Sequence, residues 1–196
     1  MTARLDDPAL DRIFRTARTR NGWQSEPLPE SLLREVYDLA KFGPTAANST
    51  PARFIFVTSP GSKEKLASVA SPGNQAKIKA APATVIIGYD LDFPQTLPKL
   101  FPHAPKMKDS FTDPAATEIV ALRNSSLQGA YLIIAARSLG LDCGPMSGFD
   151  NSKVDALFFA GTKIKSNFLC SMGYGTEENL FGRLPRHSFE DVCKVV

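Results

Sequence analysis

Thr45, Asn48, Ser49 and Thr50 gather hydroxyl and amide side chains on a short stretch bounded by Gly43-Pro44 and Pro51. Each of these groups both donates and accepts hydrogen bonds, and the two prolines hold the backbone near φ ≈ −65°. Such a loop suits a flat, heteroatom-rich ligand, or it is an ordinary polar connection; the residues alone leave both readings open. Two further groups are cationic. Arg18-Thr19-Arg20 follows an apolar-periodic segment, and Arg183 and Arg186 stand in the C-terminal part of the chain. Arginines flanking a threonine can hold a phosphate by charge-assisted hydrogen bonds, or complement a helix C-terminus.

Chemistry carried by the protein alone finds little support. H-E-x-x-H, G-x-S-x-G and G-x-x-x-x-G-K-[ST] do not occur, so zincin, α/β-hydrolase and P-loop readings fall away. Only His103 and His187 are available as imidazoles. Cys143, Cys170 and Cys193 are odd in number and far apart, which gives neither a disulfide framework nor a metal site. Gly173-Tyr174-Gly175 lacks the third glycine of a dinucleotide fingerprint, with Glu178 in its place. No catalytic side chain is assigned, and demanding chemistry here must come from a bound cofactor.

The elements that position these groups can be read in order. Asp7-Pro8 signals a helix start, followed by Leu10, Ile13, Phe14 and Ala17 at helical spacing and by Gly22 as a stop. Ser31 to Lys41 is amphipathic and leads into the loop at 43–51, after which Arg53–Thr58 reads as a buried strand. Ser62 to Ala70 is a short charged helix broken by Pro72-Gly73, and Pro82–Tyr89 is a second strand. From Asp90 to Asp113 the prolines and aromatics predict a long irregular excursion, a lid or a mobile segment. Asp113-Pro114 opens the longest helix, to about Leu139. Its polar middle, Arg123 to Gln128, faces a partner chain, a ligand or solvent. A glycine-rich passage from Gly140 to Phe149, a helix capped by Asp150 and a third strand at Asn167–Tyr174 complete the pattern.

At 196 residues, the length fits one domain over 1–196. With 43% hydrophobic and 22% charged residues the chain is ordinary globular material rather than disordered. The net charge of +3 comes without a run of basic residues, so nucleic acid and anionic membranes are not implied as partners. The apolar run at Gly129–Ala136 is too short to cross a bilayer, and the N-terminal stretch lacks a secretory pattern. A cytoplasmic protein is expected.

Taken together, Arg18-Thr19, the loop from Gly43 to Pro51, the passage from Leu139 to Asp150 and the basic stretch Arg183 to Arg186 resemble the FMN-dependent nitroreductase family in order along nearly the whole chain. Asn21-Gly22-Trp23, Arg123-Asn124-Ser125-Ser126, Gly144 to Asp150 and Phe158-Phe159-Ala160-Gly161 further resemble its malonic semialdehyde reductase branch, linked to uracil degradation. The resemblance implies an α+β fold, a central sheet wrapped by helices, in an intertwined homodimer. It also implies FMN between the subunits, NADH or NADPH as reductant, and a small aldehyde, nitro or quinone acceptor. By position, Arg18, Thr19, Arg183 and Arg186 match phosphate and ribityl contacts, and Pro44, Thr45 and Asn48 match the flavin-touching loop. Asn74 and Lys77 match residues at the isoalloxazine edge, and Pro145, Met146, Ser147 and Gly148 match the stretch near N5. The family often has arginine at Ala17, a cation at Asn21 and glutamine at Thr50; Arg20 is the expected compensating cation. A flavin-binding protein without catalysis, or a module without cofactor, would be the alternatives.

Overall fold

The computed structural model describes residues 3–196, so the first two residues of the expected 1–196 domain lie outside the described ones. The chain enters through helix α1, Asp7–Leu10, whose cap is Asp6 rather than Asp7: its carboxylate accepts from Ala9 N at 3.0 Å. A π-type turn, Asp11–Arg15, follows. Helix α2, Glu30–Ala40, buries Leu33, Val36 and Ala40, and the loop at 43–51 leads into strand β1, Ala52–Val57. Helix α3 is Pro60–Ala67 and α4 is Pro72–Ala80. Pro72-Gly73, read from sequence as a break, thus begins a helix, because the first turn has no use for the proline's missing N–H.

Strand β2, Ala83–Asp90, is almost wholly buried. The excursion that follows is ordered into a 3-10 turn at Phe93–Thr96, helix α5 at Leu97–Leu100 and a second 3-10 turn at Pro105–Ser110. It is packed rather than loose: Phe93 and Leu97 are inaccessible to solvent, and Phe93 meets Phe111 edge-on at 4.9 Å. Helix α6, Pro114–Ser138, starts with Asp113 accepting from Ala115 N at 2.9 Å. Strand β3, Asp142–Met146, helix α7, Asn151–Phe158, strand β4, Ile164–Gly173, and helix α8, Phe189–Val192, complete the order.

The four strands form one antiparallel sheet in the order β1-β2-β4-β3. This is the expected α+β architecture with one more strand than the sequence reading allowed. Gly144 and Pro145 concealed β3, which pairs with β4 from Asp142↔Gly173 to Met146↔Leu169. As an edge strand it tolerates proline at an outward position. Helices α2 and α6 cover one face around Val36, Leu132, Val85, Ile87 and Cys170. On the other, Leu66, Ile78 and Val154 pack against Ile86 and Leu169.

The polar middle of α6 is divided: Arg123, Ser126 and Leu127 stay exposed, as expected of a turn that faces a partner, a ligand or solvent, while the other three residues turn inward. Asn124, Ser125 and Gln128 are buried, and each is satisfied within the chain. Asn124 accepts from Ala46 N at 2.8 Å, Gln128 accepts from Ala52 N at 2.9 Å, and Ser125 donates to Gly88 O at 2.9 Å. Helix propensity is given up there to satisfy the Ala46 N–H and the backbone groups of Ala52 and Gly88, which would otherwise be buried without partners.

Candidate functional site

The N-terminal segment lies along the outer edge of β3. Thr19 bridges Cys143 in parallel, and Arg20 N donates to Cys143 O at 3.1 Å. Glycine at 144 permits this approach, since a Cβ there would stand 2.6 Å from Arg20 O. The C-terminal segment is stapled to the same place by guanidinium–carbonyl bonds. Arg18 donates to Phe181 O, while Arg183 donates to Arg15 O and, at 3.1 Å, to Ala17 O. Arg186 instead turns back on its own segment, donating to Leu184 O at 3.1 Å and to Pro185 O at 3.0 Å. These contacts close a cavity of about 460 Å³ lined by Arg18, Thr19, Arg137, Arg183 and Arg186, with no acidic residue among its lining. Arg15, Arg20, Arg34 and Arg53 each pair with a carboxylate. Among the described residues the four arginines of the cavity do not.

Thr19 and Asn21 also line a narrow crevice with Lys77, Pro145 and Met146. Asn74 and Lys77 are three residues apart on α4 and so share one face. The Asn74 amide donates to Gly148 O at 3.0 Å, and Ser71 N donates to the same carbonyl at 2.9 Å. The turn carrying Ser147 and Gly148 is therefore pinned to the start of α4, with Ser147 exposed. Of the residues singled out in the sequence, the structure unites Arg18, Thr19, Arg183 and Arg186 at one end. It unites Asn74, Lys77 and Pro145 to Gly148 at the other.

Arg20 lines the same crevice, but its charge is engaged elsewhere. Its guanidinium donates to Glu177 at 2.7 Å and to Thr176 O at 3.1 Å, and lies 3.7 Å from Asp142. The expected extra phosphate cation instead ties β3 to the passage after β4, its charge already compensated.

Pro44, Thr45 and Asn48 are not brought to this groove within one chain; they line neither the arginine cavity nor the Lys77 crevice. Thr45 Oγ1 accepts from Thr50 N at 3.1 Å, and the Asn48 amide donates to Leu100 O at 2.8 Å. The loop is strained: Ala47, Asn48 and Thr50 have φ of 51°, 48° and 37°. A left-handed conformation is a marked departure for a β-branched threonine, and strain of this kind collects at functional sites. Ser49 is buried with its hydroxyl lacking a hydrogen-bond partner.

Other groups offer no competing centre. A larger cavity of about 560 Å³ lies between α2 and β1, but its lining is apolar apart from Thr58, Tyr37 and the ion-paired Glu30 and Arg34. Contact with the Cys143 thiol, and then burial, push the Cys170 thiol well above its ordinary range, so it is no nucleophile. Among the described residues no three His, Cys, Asp or Glu side chains converge on a metal position, and no helix is long and apolar enough to cross a membrane. Arg137 was missed in the sequence because a cation just before Gly140 reads as an ordinary helix C-terminus. Only its return to the Arg18 neighbourhood distinguishes it.

Comparison with known proteins gives the family. The model of the Nitroreductase family matches residues 15–175. A Caulobacter sp. (strain K31) protein named "Putative NADH dehydrogenase/NAD(P)H nitroreductase" is 64% identical over 194 residues, covering 99% of this chain and 100% of its own length. A Stenotrophomonas maltophilia (strain R551-3) protein of the same name is 60% identical over 196 residues, all of both chains. Among solved structures, one from Exiguobacterium sibiricum 255-15 in complex with FMN superposes with TM-score 0.85 at 17% identity, covering 100% of each chain. A nitroreductase family protein from Streptococcus pneumoniae TIGR4 superposes with TM-score 0.81 at 18% identity, covering 94% of this chain and 98% of its own. The chain belongs to the nitroreductase family.

Proposed function

We propose that this protein is a cytoplasmic homodimeric oxidoreductase that uses FMN and NADH or NADPH to reduce a small acceptor, malonic semialdehyde, to 3-hydroxypropionate. The observation that carries the flavin reading is the arginine cavity without acidic lining, joined through Thr19 and Asn21 to the Lys77–Pro145–Met146 crevice. A flat ring system bearing a phosphate tail needs that combination of a cationic end and a narrow wall. The residues present fit FMN. Arg18, Thr19, Arg183 and Arg186 would hold its phosphate, Asn74 and Lys77 the polar edge of its ring, and Pro145 to Gly148 the wall beside it. The chemistry FMN supplies when bound is acceptance of hydride from the nicotinamide and delivery of hydride to the acceptor. The name carried by the full-length relatives supports NADH or NADPH as reductant.

Two features support the homodimer. The loop with Pro44, Thr45 and Asn48 stands apart from the groove of its own chain, so a second copy is needed to bring such a loop to it. Helix α6 also carries apolar side chains on its outward side, with Ile119, Leu122, Leu127 and Tyr131 exposed, and exposed apolar side chains gathered on one surface mark an interaction site.

The aldehyde reading rests on the sequence resemblance. Part of that resemblance, Asn124 and Ser125, holds the loop and strand β2 rather than substrate. A carboxylate-bearing acceptor needs a free cation. Among the described residues Arg123 and Lys106 have no carboxylate within ion-pair distance, whereas Lys108 stands 4.0 Å from Asp109. The second reading is a general nitro or quinone reductase, favoured by the relatives' name. Comparison of kcat/KM for malonic semialdehyde, an uncharged aldehyde of similar size, a nitroaromatic and a quinone decides between them. Removing the carboxylate is expected to cost at least about tenfold, or ~1.4 kcal/mol of transition-state binding. Equal rates for the two aldehydes, or a faster nitroaromatic or quinone, would favour the second reading.

A further inference from the structure

We infer that Arg137 is a fourth arginine of the phosphate site, and that it distinguishes the phosphorylated flavin from riboflavin. This inference rests on the FMN reading above. Arg137 stands in the last turn of α6 and lines the same cavity as Arg18, Thr19, Arg183 and Arg186. It is anchored from two sides: its Nη1 donates to Ile13 O at 3.1 Å, and its own carbonyl accepts from Arg12 Nε at 3.1 Å. One of the five guanidinium donors is thereby used, leaving the rest of the fork for another acceptor. No carboxylate lies within ion-pair distance among the described residues.

Two contrasts separate this arrangement from an ordinary cation at a helix end. Helix-dipole compensation needs only an exposed charge in the last turn, whereas Arg137 is half-buried and carries part of the cavity wall. Arg183 and Arg186 belong to a segment that is exposed from residue 181 onward. Arg137 instead sits on the longest helix, beside the core residues Ala135 and Ala136. A rigid donor of this kind holds geometry that flexible ones cannot. Four uncompensated guanidinium groups around one cavity also repel one another in the empty protein, and a phosphate dianion relieves that repulsion.

The test is titration of flavin-free protein with FMN and with riboflavin, read by flavin fluorescence, for the wild type, Arg137→Gln and Arg137→Lys. Arg34→Gln, outside the cavity, controls for loss of charge. We expect Arg137→Gln to raise the Kd for FMN about tenfold to a hundredfold and to leave riboflavin unchanged, with Arg137→Lys between. Inorganic phosphate is expected to raise the thermal midpoint of the flavin-free wild type more than that of Arg137→Gln. Equal weakening of both flavins would make Arg137 a structural residue and overturn the inference, as would an unchanged Kd for FMN. A wild type that binds riboflavin as tightly as FMN would instead overturn the phosphate reading beneath it.

Discussion

Asn124 Oδ1 accepts the backbone N–H of Ala46 at 2.8 Å across 78 residues of sequence, and in doing so holds the strained loop against helix α6. Its own amide donates to Val120 O at 2.8 Å, so the side chain is fixed before it reaches the loop. Gln128, one turn on, does the same for Ala52 N at 2.9 Å. The helix thus clamps the loop near both ends.

Replacing Asn124 with Ala removes the side-chain partner of the Ala46 N–H and so frees the loop from α6 at that point. We expect a loss of about 0.5–1.5 kcal/mol in denaturant unfolding, accompanied by weaker FMN binding through a disordered loop. Full retention of stability would show that Ala46 finds another acceptor.

Ala47 tests the strain itself. With φ 51° and ψ 32° it lies in the left-handed region, where a Cβ costs about 1–2 kcal/mol relative to glycine. Ala47→Gly is therefore expected to be neutral or stabilising by up to ~1 kcal/mol, unlike alanine-to-glycine changes in helices. A clear loss in the denaturation midpoint would contradict the strained conformation.

Gly144 and Gly148 separate folding from binding. A Cβ at 144 would meet the Arg20 carbonyl carbon and oxygen at 3.8 and 2.6 Å, fixed backbone, whereas at 148 it would meet the Asn74 amide nitrogen at 2.8 Å. Gly144→Ala is expected to cost about 1–3 kcal/mol of stability. Gly148→Ala should displace Asn74 with a smaller stability loss and a larger loss of FMN affinity. The pair is read by parallel chemical denaturation and flavin titration.

These residues also show what the sequence could and could not reveal. The amphipathic helix at Ser31–Lys41, the strands at Arg53–Thr58 and Pro82–Tyr89 and the Asp113-Pro114 helix start were legible, because local periodicity and capping decide them. Strand β3 was not: glycine and proline at 144 and 145 mask an edge strand whose pairing is set by β4 and by the close passage of Arg20. The inward role of Asn124 and Gln128 was hidden for a related reason. Polar residues on a long helix look solvated until the loop they satisfy, 76 to 78 residues away, is in place. Arg18 and Arg186 were legible as cations; the fate of Arg20 depended on Asp142 and Glu177, whose proximity no spacing rule supplies.

A pH dependence follows from Glu118. Its carboxylate accepts from Lys165 Nζ at 2.8 and 2.9 Å and from the Tyr89 hydroxyl at 2.8 Å. The Lys165 bond first, then Tyr89, holds its pKa below the ordinary 4.5, against a smaller opposing effect of burial. A depressed carboxylate stabilises the fold fully above that ordinary value, and the contribution is lost as pH falls through the folded-state pKa. Glu118→Gln is expected to cost no more than about 1 kcal/mol at neutral pH, since the pair is partly exposed, and to flatten the acid limb of the stability profile. A mutant whose acid limb stays as steep as the wild type's would remove Glu118 from the account.

Leu127, which is 46% exposed on the outward side of α6, tests the proposed dimer. Leu127→Glu is expected to yield monomers by light scattering and to lose FMN in the same step, because a single chain does not bring Thr45 and Asn48 to the groove. A monomer that keeps FMN with wild-type affinity would show that the groove needs no second copy.

The most direct measurement is an anaerobic single-turnover experiment on the protein as purified, with the bound flavin identified after extraction. FMN in amounts equimolar with the chain, bleached by NADH or NADPH and restored by malonic semialdehyde, is the expected result. A colourless protein, FAD in place of FMN, or bound FMN that neither nicotinamide bleaches would contradict the assignment of this groove to flavin-dependent reduction.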